Sequence, residues 1–249
     1  MKNRVVLIVQ ARMASTRLPG KSMMLLAGQP MLGRILERLT RCSLCDQIVL
    51  AIPDTEQDLV LQDLGRQYGI PVVLGSEEDV LDRYVQAATE YGADFVVRFP
   101  ADNATPEPSE IDRIVAHHLS LGRPGFSSNM AEIWQSGYPD GIGAEIVDFS
   151  LLAEACNSKP CSREREHVHL NFFDYVTQEP VDELWCPVST VSCPTDFRRP
   201  DIVLDVNTAT EYKRMAALYR DLYPQDQNFD IRTIIRWFDD RRGESVSKV

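Results

Sequence analysis

The first hundred residues of this 249-residue chain alternate between short apolar runs and longer segments with helical spacing. Val5–Val9, Ile48–Ile52, Ile70–Leu74 and Phe95–Phe99 are predominantly apolar, which is typical of strands buried on both faces of a parallel sheet. Between them, apolar residues recur three and four positions apart, which indicates amphipathic helices. Repeated strand–helix units predict an α/β fold with a mostly parallel sheet and helices on both faces.

The alternation stops at about residue 126. Between 126 and 191, glycine, proline and aromatic residues are frequent, and Gly137–Gly143 is the densest turn signal. We interpret 126–191 as a mixed insertion within one domain that spans the whole chain. After it, the pattern predicts a strand at Ile202–Val206, a helix through Tyr212–Leu222 and a last amphipathic helix around Ile231–Phe238.

Charge is unevenly distributed along the chain. The 37 acidic and 26 basic residues give a net charge of −11, which argues against nucleic acid or an anionic membrane as a partner. Residues 1–41 nevertheless contain eight Lys or Arg and the single acid Glu37, a net charge of +7. A basic segment on an acidic protein predicts a local anion site.

The composition also bears on membranes and on redox chemistry. No apolar run reaches 18 residues, and the first run is too short for a signal peptide, so we expect a cytoplasmic protein with no membrane partner. The chain has six cysteines, and Cys42 and Cys45 form a C-x-x-C with no second pair at zinc spacing. We interpret them as structural thiols.

The segment Gln10–Ser22 leaves the first predicted strand at the place where such sheets hold ligands. It supplies three cations, the neighbouring hydroxyl groups of Ser15 and Thr16, and Gly20, whose missing side chain lets backbone N–H groups approach an anion. It does not match the P-loop pattern, because Ser15 stands where that pattern needs glycine and Pro19 lacks an N–H group. The segment still predicts a phosphate site.

Five segments, in order, resemble one family of enzymes. The run R-x-x-S-x-R-L-P-G-K from Arg12 to Lys21 resembles the nucleotide-binding loop of the cytidylyltransferases that activate acidic sugars, namely the CMP-acylneuraminate and CMP-Kdo synthetases. The similarity is greatest to the spore-coat polysaccharide synthesis protein F group. The other segments are G-S-E-E-D-V-L-D-R-Y at 75–84, V-R-F-P-A-D-N at 97–103, Y-P-D-G at 138–141 with Glu145, and R-E-H-V at 165–168.

This resemblance implies a Rossmann-like nucleotidyltransferase domain of the GT-A-like kind, acting as a homodimer in surface polysaccharide synthesis. It implies a Mg²⁺-dependent reaction that couples CTP to an acidic sugar of the nonulosonate or Kdo type and releases pyrophosphate. Positioning and electrostatics dominate such phosphoryl chemistry. The residues implied are Arg12, Ser15, Arg17 and Lys21 for the triphosphate, Ser76 and Arg83 for the nucleotide, and Tyr138, Asp140, Glu145, Arg165 and His167 for the acceptor. Arg165 and His167 are expected either to contact the carboxylate of the acceptor or to be structural groups.

Magnesium requires oxygen ligands, usually carboxylates beside substrate phosphates. Asp102 follows the fourth predicted strand, and Asp205 and Asn207 are alternate residues of the predicted late strand, so they would face the same side. The resemblance implies aspartate where Asn207 stands. Either Asp205 holds the metal with Asn207 assisting, or metal binding is weakened.

Three alternative functions remain open from the sequence. The fold could use another donor or acceptor, such as a sugar phosphate or a phosphonate, although the glycine-rich loop G-G-x-G-T-R of sugar-phosphate enzymes is absent. It could transfer sugar, although the chain contains no D-x-D. Asn207 keeps open a third function, a protein that binds nucleotide without turnover.

Overall fold

The computed structural model describes residues 3–158 and 163–246, and its centre is a seven-stranded sheet in the order β11-β7-β8-β6-β1-β4-β5. The strands are β1 (Val5–Gln10), β2 (Leu25–Leu26), β3 (Gln29–Pro30), β4 (Gln47–Pro53), β5 (Val72–Gly75), β6 (Phe95–Pro100), β7 (Phe126–Ser128), β8 (Glu145–Asp148), β9 (Phe173–Asp174), β10 (Glu179–Pro180) and β11 (Val188–Ser189). The helices are α1 (Met31–Leu39), α2 (Leu59–Gln67), α3 (Val80–Glu90), α4 (Pro108–Ser120), α5 (Phe149–Ser158), α6 (Arg163–Glu166), α7 (Ala209–Leu222) and α8 (Ile231–Val246).

Strand β1 lies in the middle of the parallel part of the sheet. It pairs in parallel with β4 on one side and β6 on the other, and β4 continues in parallel to β5. Strand β8 joins β6 and β7 in antiparallel pairs, and β7 pairs in parallel with the short β11. The expected mostly parallel α/β sheet is therefore confirmed, and all four predicted early strands are present.

Alternate residues of β1 face different cores. Val5, Leu7 and Val9 pack in the core that includes α1, α4, α7 and α8, whereas Val6 and Ile8 pack in the core that includes α3 and α5. All five side chains are at most 2% exposed. This two-sided burial explains the continuous apolar run, and it places helices on both faces of the sheet as the sequence predicts.

The segment 126–191 is more closely joined to the sheet than an insertion packed beside it would be. It supplies β7, β8 and β11 to the main sheet, and α5 packs against α3 in the second core. Only the two-residue strands β9 and β10 form a separate hairpin within the described part of this segment. The alternation of strands and helices ends here because β8 pairs antiparallel with β6. The segment nevertheless remains part of the main sheet.

The prediction of a regular strand at Ile202–Val206 was wrong. The segment forms only isolated bridges, Asn103 with Asp205 and Asp140 with Val203. Ile202, Leu204 and Val206 are nevertheless fully buried, and Val203 is half-buried. Leu204 N donates to Asp140 O, and Val206 N donates to Asp102 O. The apolar pattern predicted the burial of this segment correctly. The hydrogen-bond partners of the segment lie in loops at the edge of the sheet.

Part of the basic N-terminal segment has a structural role. Arg34 stacks on the Tyr223 ring at 3.8 Å, and Arg38 stacks on the Phe229 ring at 4.7 Å while its guanidinium donates to the Phe229 carbonyl. Arg41 donates to a carbonyl nearby, so α1 is tied to the C-terminal part of the chain. The remaining cations of the loop after β1 are therefore those available for an anion.

Within the described residues, every helix is too short or too polar to cross a bilayer.

Candidate active site

The loop that follows β1 is held in place by one buried carboxylate. Met13 N donates to Asp58 Oδ1 at 2.7 Å, and Asp58 is fully buried. Gly20 adopts φ +71°, a conformation that favours glycine, and its N–H donates to the Met13 carbonyl. The loop thus folds back on itself at the carboxyl end of β1, and its cations stay at the edge of the sheet.

A cavity of about 350 Å³ opens beside this loop. It lies where β1 and β6 end, which is the expected ligand position in such a sheet. The structure brings together most of the residues predicted from the sequence at its wall, namely Arg12, Ser15, Arg17, Lys21, Arg83, Asp102, Asp140, Glu145, His167, Asp205 and Asn207.

Lys21 connects the loop to the opposite wall. Its side chain is almost buried, and Nζ donates to the Val206 carbonyl at 2.8 Å and to Asn207 Oδ1 at 3.1 Å, with Asp102 Oδ2 at 3.5 Å. Arg17 also donates to Asn207 Oδ1, at 2.9 Å. Two loop cations therefore converge on the segment that carries the predicted metal ligands.

Three carboxylates gather on that opposite wall. Burial, followed by repulsion from Asp102 and Glu211, raises the pKa of Asp205 above its ordinary value. Burial, followed by repulsion from Glu132, Asp205 and Asp102, raises the pKa of Asp140 to about 7. A divalent cation would relieve this repulsion, and the donors are the oxygens that Mg²⁺ prefers. Asp102 and Asp205 therefore fit a magnesium ion.

Asn207 lines the cavity beside Asp205. Its amide oxygen accepts hydrogen bonds from Lys21 and Arg17, and its amide nitrogen donates to Asp205 Oδ2. The neutral amide can make these contacts together, because it offers an acceptor to the cations and a donor to the carboxylate. The part of Asn207 in holding a metal ion stays a prediction.

The motif G-S-E-E-D-V-L-D-R-Y at 75–84 holds Arg83 in place, and Arg83 is only 2% exposed. Arg83 Nη1 donates to the Ser76 carbonyl at 2.8 Å. A Cβ atom on Gly75 would lie 2.7 Å from Arg83 Cγ, which explains the glycine. Asp79 caps α3 by accepting from Asp82 N. The motif therefore delivers one buried arginine to the cavity.

Three predicted site residues do not line the cavity. Tyr138 is fully buried, and its hydroxyl donates to Glu110. Arg165 donates to Asp79 Oδ2, with Nε at 2.7 Å, and to the Cys156 carbonyl. The Ser76 hydroxyl accepts from Asp79 N. These contacts are structural.

The far wall of the cavity contains groups that the sequence did not single out. Arg98 forms a 2.7 Å ion pair with Glu145, whose other oxygen accepts from the Tyr175 hydroxyl at 2.7 Å. Burial would raise the pKa of Glu145, but the Arg98 charge and the hydrogen bonds from Arg98 and Tyr175 outweigh it, and the net pKa is lowered. Burial is the main cause that lowers the pKa of His169 to about 4, so its ring is neutral at pH 7.

A sequence signal existed for only part of this wall. Arg98 stands inside the V-R-F-P-A-D-N motif and His169 directly follows the R-E-H-V motif, whereas no motif marks Tyr175. They reach Glu145 only because the segment after α6 folds back over β8.

The C-x-x-C pair lies away from this cavity. Cys42, Cys45 and Asp112 place sulfur and carboxylate atoms within 4.8 Å of one another. The Asp112 carboxylate already accepts hydrogen bonds from Ser43 N, Ser43 Oγ and Leu44 N. Both thiols pack against the first core. These contacts therefore stabilise the turn between α1 and β4.

The sheet order and the cation loop opposite paired carboxylates define a nucleotidyltransferase of the Rossmann-like α/β class. The family model for cytidylyltransferases matches residues 6–157, more than half of the chain, so this protein belongs to the cytidylyltransferase family.

Individual relatives agree with this assignment. The spore coat polysaccharide biosynthesis protein SpsF of Bacillus subtilis is 30% identical over 223 residues, 88% of this chain and 87% of that protein. The 3-deoxy-manno-octulosonate cytidylyltransferase of Geobacter sulfurreducens is 35% identical over 114 residues, 45% of this chain and 44% of that protein. A cytidylyltransferase structure from Leptospira borgpetersenii shares the fold, with a TM-score of 0.84, 24% identity and coverage of 97% and 96% of the two chains.

Proposed function

We propose that this enzyme couples CTP to a hydroxyl group of an acidic sugar of the nonulosonate or Kdo type, giving a CMP-sugar and pyrophosphate for surface polysaccharide synthesis. The observation that carries the proposal is the separation of charge in one cavity, with Arg12, Arg17 and Lys21 on one wall and Asp102 and Asp205 opposite. The names of the two relatives support the nucleotide and the acidic acceptor.

The loop cations suit the leaving pyrophosphate. Transfer of the cytidylyl group requires in-line attack on the α-phosphorus while negative charge spreads over phosphate oxygens. Arg12 and Arg17 offer planar guanidinium groups, and Lys21 offers a point charge that its three oxygen contacts hold in position. Cations held in advance lower the energy of the charged transition state because they need little reorganisation.

We further propose that Asp102 and Asp205 hold Mg²⁺ beside these phosphates. The bound ion would neutralise phosphate oxygens and orient the triphosphate. Asp140 lines the same cavity, and its carboxylate is the group that we propose accepts the proton of the attacking hydroxyl. The acceptor would then lie against Arg98, Glu145, Tyr175 and His169, with His167 at the rim of the same cavity.

The proposal is tested first with nucleotides alone. Thermal unfolding is measured with Mg²⁺ and each of CTP, UTP, ATP, GTP and dTTP. A ligand at 100 times its Kd adds about 2.7 kcal/mol to the free energy of unfolding, so CTP should raise Tm by several degrees and the other nucleotides should not. An equal or larger shift with another nucleotide would overturn the donor.

Pyrophosphate release is then measured with CTP, Mg²⁺ and Kdo or N-acetylneuraminic acid as probes. Release that requires an acidic sugar supports the proposal. CTP binding without release for any acid, sugar phosphate or phosphonate would instead favour a nucleotide-binding protein without turnover. Neutral sugars serve as matched controls for the carboxylate.

We also propose a homodimer that works in the cytoplasm, where CTP is available. Support comes from apolar side chains exposed on the segment 126–191, where Trp134 is 42%, Val176 82% and Leu184 100% exposed. Light scattering after size exclusion should give twice the mass of one chain. A single-chain mass at micromolar concentration would contradict the dimer.

A further inference from the structure

The segment 163–171 borders the mouth of the cavity. It contains α6 and a short 3-10 helix, Val168–Asn171, and its residues Glu166, His167 and His169 line the cavity. Val168 is 2% exposed and belongs to the second core. The segment is therefore a fixed part of the wall.

A second contact fastens the same segment near its start. Arg165 forms an ion pair with Asp79 at 2.6 Å, and Asp79 is the cap of α3. Arg165 also donates to the Cys156 carbonyl at 2.8 Å. The backbone is therefore fixed at both Arg165 and Val168. Glu166, which follows Arg165, extends to the cavity from this fixed segment.

Glu166 pairs with a cation of the triphosphate loop. Arg12 Nη2 lies 3.5 Å from Glu166 Oε1, and the side chains are 38% and 50% exposed. Within the described residues, Arg17 and Lys21 make their hydrogen bonds to Asp102, Val206 and Asn207, so these two loop cations face the wall that carries Asp102 and Asp205. Arg12 alone of the three is paired with a carboxylate from the 163–171 segment.

We propose that Glu166 is a positioning residue that acts through Arg12: it holds the guanidinium at the cavity before nucleotide binds and competes with the polyphosphate for it. The proposal rests on the proposed function, because that function places a triphosphate on Arg12. The same competition acts on the pyrophosphate that remains on the loop cations after transfer. Glu166 therefore lowers affinity for both polyphosphates and favours release of the product.

The physical reason is the difference in charge. A partly exposed single ion pair is weak, so a polyphosphate with several negative charges displaces Glu166 readily. The polyphosphate takes the guanidinium only when this pair breaks, so the free energy of the pair is subtracted from polyphosphate binding. The 163–171 segment is held at Arg165 and Val168, so Glu166 stays within reach of Arg12 and pairs with it again when the polyphosphate leaves.

The test uses Glu166→Gln, which keeps the shape of the side chain and removes its charge. Isothermal titration measures Mg²⁺·CTP, inorganic tripolyphosphate and pyrophosphate. We expect Kd to fall about 2- to 5-fold for each polyphosphate at low salt, and the difference to shrink at 0.3 M NaCl because salt screens a partly exposed pair. Glu164→Gln on the same helix is the matched control and should bind like the parent protein.

A double variant separates pairing from a general field. In an Arg12→Ala background, Glu166→Gln should have little effect on Kd, since the shared cation is gone. An unchanged or higher Kd for Glu166→Gln in the parent background overturns the proposal. An equal gain in both backgrounds also overturns it, because Glu166 would then act without Arg12. Thermal unfolding of each variant shows whether the fold is retained.

The probes also separate this inference from the proposed function. Tripolyphosphate carries no base, so a gain for Glu166→Gln with tripolyphosphate supports the inference even where CTP is not the preferred nucleotide. CTP binding with no effect of Glu166→Gln overturns the inference and leaves the proposed function standing. If the parent protein binds neither probe, both fail.

Discussion

Lys21 and Asp102 lie 81 positions apart in the chain, and their side chains approach to 3.5 Å at the floor of one cavity. Lys21 comes from the loop after β1, and Asp102 follows β6, the strand next to β1 in the sheet. Parallel pairing brings the two carboxyl ends together, so the cation that we propose binds phosphate meets the carboxylate that we propose binds the metal ion. Two adjacent strand ends thus supply both halves of the proposed nucleotidyl-transfer site.

Replacing Lys21 with methionine should weaken CTP binding. The change removes a charge-assisted contact worth about 1.5–3 kcal/mol, so Kd for Mg²⁺·CTP should rise by about 10- to 100-fold. Isothermal titration measures the change, and Arg66→Ala, an exposed cation on α2, is the control. An unchanged Kd would remove Lys21 from the nucleotide site.

Asp102→Asn should abolish most turnover while the fold survives. The amide keeps the size of the side chain but loses the charge that attracts Mg²⁺, so kcat should fall by about 100- to 1,000-fold, as for other groups that stabilise transition-state charge. Steady-state pyrophosphate release at several Mg²⁺ concentrations measures it, with thermal unfolding as the check on folding. A normal rate would place the magnesium ion elsewhere.

Asp140→Asn should stabilise the protein at high pH when no Mg²⁺ is present. The pKa of Asp140 is raised from 3.8 to about 7 in the folded state. Between these values the folded state binds more protons than the unfolded state, so the contribution of Asp140 to stability falls as pH rises from about 4 to 7. The half-buried side chain is partly screened by solvent, which leaves a penalty of about 1–2 kcal/mol at pH 8.

The measurement is Tm of both proteins across pH in a chelating buffer. Tm of the asparagine variant should exceed that of the parent at pH 8, and the two should converge near pH 4. If the parent protein is instead more stable than the variant at pH 8, the carboxylate has a favourable partner there. The same variant should also lose pyrophosphate release.

Arg165→Ala should act mainly on stability. The residue was predicted from the R-E-H-V motif to contact the acceptor, but its guanidinium is bound to Asp79 and to the Cys156 carbonyl. Loss of these partly buried, charge-assisted bonds should lower the free energy of unfolding by about 1–2 kcal/mol. Denaturant unfolding measures it, and Arg163→Ala on the same short helix should cost less than about 0.5 kcal/mol. Equal effects of the two variants would contradict the structural role of Arg165.

Local sequence determined the early strands and the cation loop. The run Val5–Val9 in β1 is apolar at every position because both faces are covered, and that requirement is visible without coordinates. Arg12, Gly20 and Lys21 can be recognised as a motif because both the turn and the positive charge of this loop come from its own residues. The resemblance of five such segments was enough to identify the family, which the family model and the relatives confirm.

Tertiary structure decided what each charged residue contacts. The sequence could not show that Arg165 binds Asp79, 86 positions away, or that the oxygen of Asn207 faces Lys21 and Arg17. It could not mark Tyr175, which reaches Glu145 only through the fold of the segment after α6. Apolar burial is a periodic property that one stretch of chain reveals by itself. The partner of a charge depends on which strand ends meet, and only the assembled sheet determines that.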